Sequence, residues 1–194
     1  MNRDFAACPP IAVMGVSGSG KSTIARMLAI ELHVPFVEAD DLHPTENKDR
    51  MRQGLPLDDE HRRPWLRTVA EHLQVAAIEQ GTAVAACSAL KRAHRDVLRE
   101  VIPSVFFVYL AGRQDEIAER ISDRKHEFMP ASLLGSQFDA LEAPGDDEEH
   151  LKVSISPAPA QIVFEIVAHL SSRFGRTPHG ALSDSDHAGL RRTV

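Results

Sequence analysis

Residues 11–22 read Ile11-Ala12-Val13-Met14-Gly15-Val16-Ser17-Gly18-Ser19-Gly20-Lys21-Ser22. The first four are a short, continuous apolar run closed by a glycine, as expected of a strand covered on both faces of a parallel sheet. The eight that follow fit G-x-x-x-x-G-K-[ST], and Lys21 to Leu32 predicts a helix whose Ile24, Leu28 and Leu32 form one apolar stripe. A strand, this loop and a helix in that order make a phosphate cradle. Glycines let the backbone curl so that amides along Gly15, Ser17, Gly18, Ser19 and Gly20 turn inward, and the helix opening at Lys21, Ser22 and Thr23 adds its positive end. Lys21 is then expected to reach the β and γ phosphates of ATP, and Ser22 to place its hydroxyl on Mg²⁺.

Outward from this loop the pattern alternates. Pro35 to Ala39 reads as a second strand ending in the polar cluster Asp40-Asp41-Leu42-His43-Pro44. A helical rhythm runs from Pro64 to Gln80 with Gly81 as its stop, followed by a strand over Ala83 to Cys87 and a basic helix from Lys91 to Glu100. Val105 to Leu110 reads as a central strand and Arg113 to Arg124 as a helix. A polar stretch to Glu149 carries little periodicity, so a mobile helical lid is expected over about 120–149. Leu151 to Ile155 gives the fifth strand, and Ser156-Pro157 reads as cap and first turn of a helix reaching Leu170. Residues 172–194 are poor in large apolar groups and read as a disordered tail, and 1–9 as a short extension. The fold expected is a three-layer α/β/α P-loop NTPase fold on a five-stranded parallel sheet over 10–171, with ligands at the strands' C-terminal ends.

Composition narrows the partners. The 194 residues are 43% hydrophobic with a net charge of −6, which argues against nucleic-acid or anionic-membrane binding. Two cysteines, Cys8 and Cys87, are too few for a disulfide scaffold and suit a reducing cytoplasm. No apolar run is long enough for a membrane span, and Pro9 and Pro10 interrupt any signal-peptide core.

A phosphate loop alone leaves GTPases, motors and small-molecule kinases open. Further residues separate them: Asp40, Leu42-His43-Pro44, Asn47, Met51, Gly54, Pro56-Leu57, Asp59, Arg62 and Pro64-Trp65-Leu66. With Cys87 to Lys91, Arg95-Asp96, Gln137-Phe138, Leu141-Glu142 and Pro144, they resemble the gluconokinase pattern, of the thermoresistant type. The resemblance spans about residues 10–170 and implies transfer of a phosphoryl group from ATP to D-gluconate, with homodimers common in the family. It also places the motif aspartate at Asp40 rather than Asp41.

Each residue has its own chemistry beside that. Asp40 ends a strand, where a carboxylate accepts the proton of an attacking hydroxyl and helps hold Mg²⁺ through water; a turn cap is the alternative. His43 suits a sugar hydroxyl or a turn. Arg62 suits the substrate or a surface salt bridge, and Trp65 reads as a core anchor. Lys91 and Arg95, four apart, read as a cationic pair for the gluconate carboxylate, or else as part of a solvated basic face with Arg92 and Arg99. Arg120 and Arg124 are expected to bring positive charge onto the phosphates, although Arg124-Lys125-His126-Glu127-Phe128 departs from the family's R-K-G-H-F. Rival acceptors are shikimate or another polyol acid. A non-catalytic nucleotide-binding regulator is a further rival, which Lys21, Ser22 and Asp40 speak against.

Overall fold

A computed structural model of the chain describes residues 8–53, 55, 57–122 and 131–175, with 131–133 traced by backbone alone. Five parallel strands, β1 (Ile11–Met14), β2 (Phe36–Glu38), β3 (Val84–Ala86), β4 (Phe106–Ala111) and β5 (His150–Ser154), stand in the order β2-β3-β1-β4-β5. The chain leaves β1 in one direction to make β2 and β3, then crosses to β4 and β5. The loop after β1 therefore sits where the connections diverge, the place at which an open parallel sheet leaves a crevice.

Seven α-helices are described: α1 (Lys21–Leu32), α2 (Thr45–Arg52), α3 (Asp59–Gln80), α4 (Arg92–Val101), α5 (Gln114–Ser122), α6 (Ala131–Asp139) and α7 (Pro159–Phe174). Alternation along β1 divides the core. Ile11 and Val13 face one side with Ile24 and Leu28 of α1 and Ile162 and Ile166 of α7. Ala12 and Met14 face the other with Leu66, Val69 and Leu73 of α3 and Val97 and Leu98 of α4. Strands buried on both faces need the continuous apolar runs seen here. None of the described helices is long and apolar enough to cross a membrane.

Three boundaries among the described residues differ by more than one residue from the sequence expectation. The third helix begins at Asp59 rather than Pro64, because the Asp58 carboxylate accepts from the His61 amide (2.9 Å) and caps an exposed first turn that the apolar rhythm does not register. The last helix starts at Pro159, not after Ser156. There the Ala158 amide is taken by the Gln161 side chain at 3.2 Å, while the Ser154 hydroxyl takes the Ser156 amide. It also runs past Leu170 to Phe174, whose ring meets Phe106 edge-on at 5.5 Å, so residues 172–174 belong to the fold. Residues 1–7 and 176–194 lie outside the described part, as do Arg124 and its neighbours.

The stretch expected to be mobile up to Glu149 is pinned at its distal end. Leu141 packs on both core clusters, the Glu142 amide donates to the Leu90 carbonyl (3.0 Å), and Glu148 is buried against Arg95. The pair is bidentate, Nε to Oε1 at 2.7 Å and Nη2 to Oε2 at 2.8 Å. Arg95 Nη1 donates to the carbonyls of Ala89, Leu90 and Glu142, and Arg99 adds a second cation on Glu148.

Burial pushes the Glu148 carboxyl up, but the hydrogen bonds from Arg95 and the Gly145 amide, with the charges of Arg95 and Arg99, outweigh it and bring it down to about 2. Its contribution to stability is therefore complete above the ordinary value of 4.5 and is lost as pH falls toward 2. Arg95→Met is expected to destabilise the fold by about 3–5 kcal/mol, because it strands a buried carboxylate. Urea unfolding at pH 7 checks this. In the same assay Glu148→Gln should flatten the acid dependence below pH 4.5.

Candidate active site

The site is built from the carbonyl end of β1 upward. Gly18, at φ +79°, carries no Cβ because one would lie 2.6 Å from Ile121 of α5, which covers that side of the loop. Gly20, at φ +96° in the left-handed region, turns the chain into α1. Helix α1 has no side-chain cap and no acid in its own first turn, which suits an anion at its N-terminus. Lys21 folds back over the loop, with Nζ donating to the Val16 carbonyl at 3.0 Å. Ser19 Oγ is buried without a hydrogen-bond partner among the described residues. Gly15 is buried where a Cβ would lie 3.0 Å from the Leu110 carbonyl, and Thr23 is exposed on the first turn of α1.

The facing wall comes from the end of β2. Ala39–Leu42 forms a single 3₁₀ turn, and neither Asp40 nor Asp41 caps it or α2, so Asp40 is no helix cap but does sit in a turn, the other alternative to a site role. The charge of Asp40 acts on Glu38, His43, Arg62 and Cys87, so these side chains share one neighbourhood, and Cys87 also feels Lys21. Glu38 is a residue that sequence reasoning missed. Its carboxyl hydrogen-bonds the Ser22 side chain, and its pKa is raised, first by burial and then by Asp40. The signal was present: Glu38 is the one acidic residue of β2, at its C-terminal end. The donor set Ser22 Oγ, Glu38 and Asp40 is all hard oxygen, the chemistry that suits Mg²⁺ rather than a softer metal.

His43 lies flat on Trp65, ring centroids 3.9 Å apart and planes at 13°, and Asn47 Nδ2 approaches its Nδ1 at 3.5 Å. Burial, with help from the charges of Arg62 and Lys48 and against that of Asp40, lowers its pKa to about 4, so the ring is neutral at pH 7. Trp65 is the expected core anchor, its indole N–H donating to the Ala39 carbonyl at 2.7 Å. Through these contacts one tryptophan fixes both the turn carrying Asp40 and the plane of His43.

Arg62 makes one hydrogen bond among the described residues, Nε to the Leu57 carbonyl at 3.1 Å, and is in no ion pair there. Burial lowers its pKa while the charges of Asp59, Cys87, Asp40 and Asp58 counter this. Its two terminal nitrogens thus make no hydrogen bond and no ion pair among the described residues.

The expected cationic pair is not assembled. Lys91 is held by Asp59 at 2.8 and 3.0 Å, with His94 on the same carboxylate at 3.1 Å. Arg95 is fully buried and all its nitrogens are committed to Glu148 and backbone carbonyls, so it holds the fold and does not reach a substrate. Four-residue spacing put both on one helix, but Lys91 precedes its first turn and points to α3, whereas Arg95 points into the protein. Arg120 is engaged elsewhere too, with Nη2 on Glu116 (3.1 Å) and the Ile155 carbonyl (2.6 Å), tying α5 to the end of β5. Across the loop, Gln137 of α6 takes the Ser17 amide on its Oε1 at 2.7 Å. A hollow of about 460 Å³ between α1 and β2, lined by Ile30, His33 and Phe36, opens at the far end of α1 from the phosphate loop and has no part in this cluster.

The chain that carries these residues is similar to known proteins. A family model described as an AAA domain matches residues 11–144. A gluconokinase of Arabidopsis thaliana is 43% identical over 170 aligned residues, covering 81% of this chain and 89% of that protein. The chain belongs to the gluconokinase family. Thermoresistant gluconokinase of Escherichia coli (strain K12) is 41% identical over 141 residues, covering 73% of this chain and 81% of the relative. The crystal structure of a gluconokinase from Sinorhizobium meliloti 1021 matches with a TM-score of 0.78 at 41% identity, covering 87% of this chain and 94% of that one. Several of the segments quoted from the sequence thus lie near one another: Asp40 and Arg62 act on each other and on Cys87, which also feels Lys21 of the phosphate loop.

Two outcomes follow for His43. His43→Phe, which keeps the stack on Trp65, is expected to raise KM for the acceptor about tenfold while KM for ATP stays within about twofold, the loss of one hydrogen bond; steady-state kinetics at pH 7 read this. Because the folded-state pKa lies below the ordinary 6.5, the unfolded chain takes up the proton first. Stability therefore falls as pH drops from 6.5 to about 4, and the substitution should flatten that slope in denaturant titrations.

Proposed function

We infer that this protein transfers the γ-phosphoryl group of ATP to a hydroxyl of D-gluconate, giving ADP and 6-phospho-D-gluconate. The observation that carries this is a phosphate loop leading into an α1 with no side-chain cap and no acid in its first turn, near the Asp40 turn and an Arg62 guanidinium that makes no ion pair among the described residues.

The roles follow from charge and reach. Loop amides of Gly18, Gly20 and Ser22 and the Lys21 ammonium gather the phosphates, while the amides of Gly15, Ser17 and Ser19, expected to do the same, donate to the Ser88 carbonyl, Gln137 Oε1 and the Val16 carbonyl. Asp40 orients the acceptor hydroxyl and takes its proton as the oxygen bonds to phosphorus and the bond to the ADP oxygen breaks. Arg62 suits the carboxylate of gluconate in a bidentate fork. Neutral His43 can donate to or accept from a sugar hydroxyl, while Lys91, balanced by Asp59, sets the local charge beside Arg62. Mg²⁺ would be held by Ser22 with Asp40 and Glu38 around it, and when bound it offsets phosphate charge. A cytoplasmic setting fits two cysteines that are buried and unpaired, both pushed up to about 12 by burial and hence inert. By family resemblance the working form is a homodimer, which sedimentation velocity would check.

A coupled ADP-release assay over gluconate, other sugar acids, polyols, shikimate and nucleoside monophosphates tests the assignment. Gluconate is expected to turn over best; another acceptor working while gluconate fails would discard it. Asp40→Asn should lower kcat by about 100-fold or more with ATP affinity nearly intact. Arg62→Ala should raise KM for gluconate by about 10- to 100-fold, since it removes a charge-assisted contact, with KM for ATP little changed.

A further inference from the structure

The peptide joining Val16 to Ser17 is gripped from both ends. Its carbonyl takes the Lys21 ammonium at 3.0 Å, and its N–H donates to Gln137 Oε1 at 2.7 Å, from a residue 120 positions away in the chain. The phosphate-loop lysine reaches the β and γ phosphates. The C=O and N–H of a trans peptide point to opposite sides, so Lys21 and Gln137 hold this peptide between them and Gln137 stands against the phosphate loop.

Gln137 is brought there by a seated helix. Leu134 of α6 is buried in the cluster of β1, α1 and α7, and Phe138 and Leu141 pack against the same cluster, so α6 lies on the core with Gln137 toward the loop. The backbone donor fixes the orientation of the carboxamide, since only its oxygen can accept from Ser17 N–H. That leaves the Nε2 amine, with two donors and no hydrogen-bond partner among the described residues, next to the loop.

We propose that Gln137 is a phosphate-contacting residue: anchored through Oε1 on the Ser17 amide, it donates from Nε2 to an oxygen of the γ-phosphoryl group. It thereby favours ATP over ADP and helps to hold the charge that spreads over the equatorial oxygens during transfer. A neutral donor suits this place. An ammonium there would compete with Lys21, whereas a carboxamide adds a hydrogen bond and also holds the loop peptide in the orientation Lys21 needs. This builds on the kinase activity inferred above, and its test includes readouts independent of gluconate turnover.

Affinities for ADP and for a non-hydrolysable ATP analogue, each with Mg²⁺, would be measured by calorimetry on the full chain and on Gln137→Glu and Gln137→Met. Glu keeps the acceptor for Ser17 but sets a negative charge against the phosphate. Met keeps the length and loses both hydrogen bonds. For Gln137→Glu the analogue is expected to bind about 30-fold or more weakly and ADP within about threefold of the parent; for Gln137→Met the analogue is expected to weaken about tenfold. Turnover of gluconate should fall at least as far as analogue affinity in both. If the ratio of the two affinities stays within twofold of the parent in both variants, Gln137 merely ties α6 to the loop and the proposal is wrong. If the ratio shifts as expected while the parent chain fails to phosphorylate gluconate, the acceptor assignment fails and the phosphate contact stands. Should Gln137→Glu not fold, the Gln137→Met ratio alone decides.

Discussion

The start of α1 carries no side-chain cap, and the architecture around it can be understood as what holds that arrangement in place. A helix N-terminus with no side-chain cap and no acid in its first turn is locally unsatisfied, so it persists only if the elements on either side are rigid. Rigidity comes from β1, the central strand, which packs its two faces on α1 with α7 and on α3 with α4. Gly18 and Gly20 supply turns that a side chain would block, the first because α5 is already packed over it. The cradle is a consequence of the core rather than an addition to it.

Opposite the cradle, acidic and basic groups are kept at different depths by what buries them. Asp40 stays exposed on a short turn anchored from behind by the Trp65 hydrogen bond to Ala39. His43 is pressed onto the same indole and loses its proton affinity, so beside a carboxylate and an arginine it remains a neutral hydrogen-bonding group. Arg62 and Arg95 make a useful contrast. Both are drawn into the protein, but Arg95 meets Glu148 and three carbonyls, while Arg62 meets one carbonyl and the distant fields of three aspartates. A buried guanidinium with every donor satisfied is structural; one with its fork open is equipped to bind an anion.

The Arg95–Glu148 pair also explains why the polar stretch before β5 does not wander. Glu142 and Glu148 bring two points of that stretch onto the start of α4, and Arg92 adds an exposed pair with Asp147. The connection into β5 is thereby referenced to the Leu90–Lys91 corner. Helix α6 sits just ahead of these anchors, which limits where Gln137 can stand and lets a residue of low local periodicity reach the phosphate loop.

Local patterns alone were enough for the phosphate loop, the five strands and the alternation that makes the sheet parallel, since these depend on short-range periodicity, glycine geometry and a motif of fixed spacing; the choice of Asp40 over Asp41 rested on the family resemblance. Boundaries slipped where an exposed turn was held by a cap, as at Asp58, or where a proline suggested a start two residues early, as at Pro157. What the chain order could not express is which long side chain finds which distant partner. Arg95 with Glu148, Gln137 with Ser17, and Glu38 with Ser22 are each set by how helices and strand ends pack, so spacing on one helix predicted a cationic pair that burial then separated. Short-range pattern set out the chemistry available at the ends of the strands; only the packed structure, by burying some charges with partners, decided which of them are committed to the fold.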